Sequence, residues 1–152
     1  PALLYYFDGL SDLLEALRQR SARTLRTALL SQLGGVGSAA QRDASLHQTL
    51  GELSSPKQGV LLAWLIAEGK LPFPPAEERG LKTVVDRLAL VTKHDRAALE
   101  DVVELVVLAS IGEALVGKAV RERLDRASDE GDFSERLMRL VQGYLNATRQ
   151  GD

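Results

Sequence analysis

The sequence predicts an all-α chain: a single domain over 1–152, built as a bundle of six or seven helices around one long apolar helix at about 95–127. Three observations carry this prediction. Apolar residues recur at three- and four-residue spacing along nearly the whole chain. Strand-like alternation bounded by turns is missing. The helical stretches are punctuated by capping residues, glycines and prolines in the places where helices start and stop. A chain of 152 residues buries roughly two-thirds of its unfolded surface, so it folds without a metal or disulfide.

The first helix covers about 9–33, with Leu10, Leu13, Leu14, Leu17 and Leu25 on one face and the glycines of 34–37 ending it. Ser38 followed by Gln41 is a capping-box signature for a helix at about 39–53. Ser55 before Pro56 places a cap and a first-turn proline at the head of the third helix, and Gly69 ends it as a left-handed cap. Pro72, Pro74 and Pro75 prevent its resumption. A fourth helix is expected from about Pro75 to Thr92, with Glu77 and Glu78 in its first turn. Asp95 caps the long helix, for which a bend near Ser110–Gly112 is expected. Ser134 caps the last helix, which runs to about Thr148.

The stretch 102–120 is apolar on nearly every side of a helical wheel, which suits the middle of a bundle or an oligomer interface. Its acids come early (Asp95, Glu100, Asp101, Glu104) and its bases late (Lys118, Arg121, Arg123, Arg126), as the helix dipole favours. Glu104, Glu113 and Lys118 interrupt it too often for a bilayer span, so no membrane partner is expected.

With 19 Lys+Arg against 21 Asp+Glu, the net charge of −2 exerts no global pull on nucleic acid or anionic membrane. The lack of cysteine removes thiolate metal sites and cysteine nucleophiles, and is compatible with the expected cytoplasmic location. No basic segment of the kind that opens a signal peptide precedes "ALLYYFDGL".

Several local stretches carry residue types found in binding or catalytic sites. "GVGSAA" (35–40) satisfies the spacing of a dinucleotide loop, but a leucine-rich helix stands where that loop needs a β-strand, so no cofactor is expected. His47 and His94 lack metal-ligand spacing and read as exposed residues. Carboxylates gather in two loops, Glu68, Glu77 and Glu78 in the first and Asp125, Asp129, Glu130 and Asp132 in the second. They are hard-cation ligands in type but lack the order of an EF-hand, and helix caps account for most of them. Arg18, Arg20, Arg23 and Arg26 fall within nine residues, and the last three lie opposite the leucine face as a basic strip suited to phosphate contact. No aromatic side chains interleave with them to stack bases. Leu4, Tyr5, Tyr6 and Phe7 form an apolar N-terminal cluster, expected either in the core or against a partner subunit.

The stretches 67–88 and 129–145 echo one another: acid–Gly, a polar and an apolar residue, a capping position, Glu-Arg and an amphipathic helix. "AEGKLPFPPAEE" and "SDEGDFSER" resemble the acid–Gly loops of the tellurite-resistance TerB-type helical domains. Three prolines stand where that family has a short polar loop, and Glu replaces its usual Asp before Gly, so no residue role is carried over.

These readings point to a non-catalytic helical domain for protein interaction or oligomerisation, its partner a second copy (a dimer most simply) or another protein. The alternatives are a nucleic-acid-associated protein using the Arg18–Arg26 strip, and a metal-dependent regulator or enzyme using the loop acids.

Overall fold

The computed structural model describes residues 9, 12–20, 23, 39–70, 80–126 and 130–149. Residues 12–20 are helical (α1), with Leu14 and Arg18 buried. Helix α2 is Ala39–Leu53, α3 Pro56–Ala67, α4 Gly80–Val91, α5 Arg96–Gly112, α6 Lys118–Arg123 and α7 Glu130–Arg149. A π turn at Glu113–Gly117 joins α5 to α6. No strand occurs among the described residues.

Local chemistry sets most of the boundaries. The Ser55 side chain accepts a hydrogen bond from the Gln58 amide at 3.3 Å, and Pro56 follows where its missing N–H costs nothing. At the other end of α3 the Lys70 amide donates to the Leu65 carbonyl at 2.8 Å and the Gly69 amide to Ile66 at 3.0 Å. With Gly69 at φ +68° this is a Schellman cap, a conformation that favours glycine. The Asp95 carboxylate accepts from the Ala97 amide at 3.2 Å and opens α5.

Helix α5 is the hub, touching α2, α4 and α7. Leu50 of α2, Val102 of α5 and Leu137 and Val141 of α7 are buried together, with Val106, Ala109, Phe133, Met138 and Leu145 packed around them. Among the described residues, Leu62 and Leu65 of α3, Val84 and Val85 of α4, Ala98 and Leu99 of α5 and Leu14 of α1 are the other buried apolar side chains. The bundle therefore forms around the long helix, as its sequence predicts.

Four sequence expectations are corrected. Ser134 does not cap α7: the helix begins at Glu130, Ser134 lies inside it, and Phe133 packs against the core. Burying Phe133 outweighs the capping preference of Ser134. The long helix ends at Arg123 rather than about 127, because Asp125 turns left-handed at φ +51° and the Arg126 amide donates back to Arg121 at 3.0 Å. The irregularity expected at Ser110–Gly112 is instead the π turn that follows Gly112, and Gly112, Gly117 and Lys118 keep right-handed helical angles, so the helix runs through it. Finally, the internal echo is not structural: Gly69 sits in a cap, whereas Gly131 is inside α7. The parts of the first and fourth helices expected at 24–33 and 75–79 lie outside the described residues.

Candidate functional site

From Leu105 onward, three- and four-residue steps run through Leu108, Gly112, Val116, Val120 and Leu124, and these positions share one face of the α5–α6 helix. The five large apolar side chains among them are exposed: Leu105 44 %, Leu108 59 %, Val116 55 %, Val120 50 % and Leu124 61 %. Such a stripe points away from the core formed by Leu99, Val102 and Val106 on the other side of the same helix. Successive four-residue steps on a plain α-helix drift sideways by about 40° each. The wider π turn between Gly112 and Lys118 takes up part of that drift and keeps the stripe straight.

An ion pair ties the π turn together. Arg121 Nη1 donates to Glu113 Oε1, and the side chains are only 13 % and 14 % exposed. Residues eight apart on a regular α-helix lie about 80° from one another around the axis, and the π turn removes most of that offset. Gly117 makes room for the carboxylate, since a Cβ there would stand 2.3 Å from it. Helix α3 closes the other side: a Cβ on Gly59 would stand 2.0 Å from the main-chain oxygen of Ala114, so only glycine allows this approach. Two buried polar atoms near this turn, Ser110 Oγ and Arg121 Nε, have no hydrogen-bond partner.

Comparison with protein-family models, with curated proteins and with solved structures finds no match. The geometry of the chain itself therefore carries the functional argument.

The residues singled out in the sequence fall as follows. Arg18 is buried and paired with Glu15, its Nε donating to Glu15 Oε2 at 2.9 Å, while Arg20 and Arg23 are exposed and Arg26 lies outside the described residues. That interaction holds the Glu15 carboxyl down at about 2, with a smaller contribution from Gln19. Leu4, Tyr5, Tyr6 and Phe7 lie outside the described residues, as do Glu77, Glu78, Asp129 and the start of the glycine loop. Glu68 is exposed, and Asp125 forms the left-handed cap of α6. Among the described residues no group of three or more His, Asp or Glu side chains is placed to hold a metal ion.

His47 is half-buried rather than exposed, with Nδ1 3.3 Å from Ser134 Oγ, and so ties α2 to α7. Ser134 is buried, so its hydroxyl is not presented to a substrate. His94 is half-buried before the Asp95 cap. No described helix is long and apolar enough to cross a membrane.

On α7 the Tyr144 hydroxyl donates to Asp101 at 2.6 Å, which raises the phenol pKa above its ordinary value and sets Tyr144 beside the start of the stripe. Sequence reasoning recognised the stripe region as apolar but did not resolve which side stays open. It missed the Glu113–Arg121 pair entirely, because a spacing of eight gives no signal until the π turn is known.

Proposed function

We propose that this chain works by binding protein, not by catalysis, and that the binding surface is the apolar stripe Leu105–Leu108–Val116–Val120–Leu124. The observation that carries the reading is the exposure of all five side chains along one straight face of a rigid helix. Single exposed leucines are ordinary, but a contiguous row of this length marks a contact surface. The helix behind it is held from the opposite side by α2, α4 and α7, and by α3 at the π turn, which supplies the rigidity that a binding face needs.

The reading is tested by fractionating native extract from cells that express the chain with Leu108→Arg and Val120→Arg together. The wild-type chain is expected to elute well above its 16.5 kDa mass, and the variant at the size of the free chain with unchanged helical circular dichroism. A wild-type chain that elutes free, or a folded variant that keeps the wild-type size, overturns the reading.

A further inference from the structure

We infer that the occupant of this stripe is a second copy of the same chain, packed antiparallel about a two-fold axis that passes beside the π turn. This inference rests on the proposed binding role of the stripe and goes further by fixing partner, direction and register.

Three observations support it. The first is self-complementarity in register. The π turn lies near the middle of the stripe, with Leu105 and Leu108 on its N-terminal side and Val120 and Leu124 on its C-terminal side. In an antiparallel pair centred there, Gly112 faces Val116 of the second copy, Leu108 faces Val120 and Leu105 faces Leu124. Leu105, Leu108, Val120 and Leu124 each meet a large side chain, Val116 seats over the bare Gly112, and the contact closes on itself as a two-fold interface requires.

The second is the charge along one flank. Glu104 borders the N-terminal half of the stripe and Arg123 its C-terminal half, on the same side of the helix, and both are exposed. Neither forms an ion pair among the described residues. A two-fold axis perpendicular to the helix reverses its direction while keeping each flank on its own side. Glu104 of one copy therefore meets Arg123 of the other, twice. A parallel two-fold pair puts the two copies of this flank on opposite sides of the seam and leaves every Glu104 distant along the axis from both Arg123 side chains, so it forms neither pair.

The third is Gly112. A Cβ there would have nothing within 4 Å, so the centre of the stripe is open ground, and the missing side chain lets a second helix approach closely.

The chain contains no cysteine, so single spin labels can be placed cleanly at Ala97→Cys and Ala119→Cys, both exposed positions outside the stripe. The antiparallel dimer predicts label separations of about 50 Å at 97 and about 15 Å at 119, from the rise of ~1.5 Å per residue and the helix packing distance. A parallel dimer gives about 15 Å at both positions and overturns the inference. Sedimentation of the purified chain as a clean monomer at high micromolar concentration overturns it too, while leaving the protein-binding reading to be decided by the extract experiment. In the dimer, Glu104→Arg weakens association about tenfold and adding Arg123→Glu restores it. Failure of the second change to restore association removes the proposed register.

Discussion

Gly59 of α3 stands directly against the main-chain carbonyl of Ala114 in the π turn, with no room for even one methyl group between them. Gly59→Ala must push α3 off the turn, because the obstructing atom is backbone and cannot swing aside. The expected cost is about 3 kcal/mol in urea unfolding, at the upper end of overpacking penalties. Gly143→Ala supplies the contrast: it is helical, exposed and has open space, so it should gain about 0.5–1 kcal/mol.

Glu113→Ala leaves the Arg121 guanidinium largely buried without its carboxylate, and its Nε already lacks a partner. A loss of about 3 kcal/mol is expected on chemical unfolding. Gly117→Ala should cost less, because its new methyl group meets the movable end of the Glu113 side chain. A Glu113→Ala variant as stable as the wild type would show that the pair does not hold the turn.

Asp125 adopts φ +51° at the end of α6, where glycine is the favoured residue. Asp125→Gly removes the Cβ strain at the cost of a more flexible unfolded chain, for a net gain of about 0.5–1 kcal/mol. A loss of stability would mean that the carboxylate does more than occupy the turn.

The Glu15 carboxyl is lowered from its ordinary 4.5 to about 2, chiefly by the hydrogen bond from Arg18. A lowered folded-state pKa contributes stability that is complete above about pH 4.5 and is lost as the pH falls toward 2. Carbon NMR titration should find Glu15 ionised down to about pH 2, returning to the ordinary carboxylate range in Arg18→Gln. An ordinary titration in the wild type would remove the Arg18 contact.

The helix ends were legible wherever one short-range interaction decides them. Ser55 with Pro56, Gly69 and Asp95 each announce a cap, and the structure uses each one. Legibility stopped where a distant contact outweighs the local preference. Ser134 has the chemistry of a cap, but its hydroxyl lies against His47 from another helix, and Phe133 is drawn into the core. The π turn left no trace in the apolar spacing because one inserted residue is smaller than the width of an apolar face. Without the turn, Glu113 and Arg121 do not read as partners. The 102–120 stretch was apolar all round, and composition alone does not state which side its neighbours fill. That side is set by α4, which directly precedes the long helix, together with α2 and α7, whose residues packed against it lie far away in sequence.

The central claim is that the stripe of α5–α6 meets another protein. Its most direct test is photo-crosslinking in the cell, with a photoreactive amino acid at Leu108 on the stripe and, separately, at the exposed Lys82 on α4. The account predicts discrete protein adducts from position 108, to a second copy of the chain, and none from position 82. Equal labelling at the two positions, or none at 108, would contradict it.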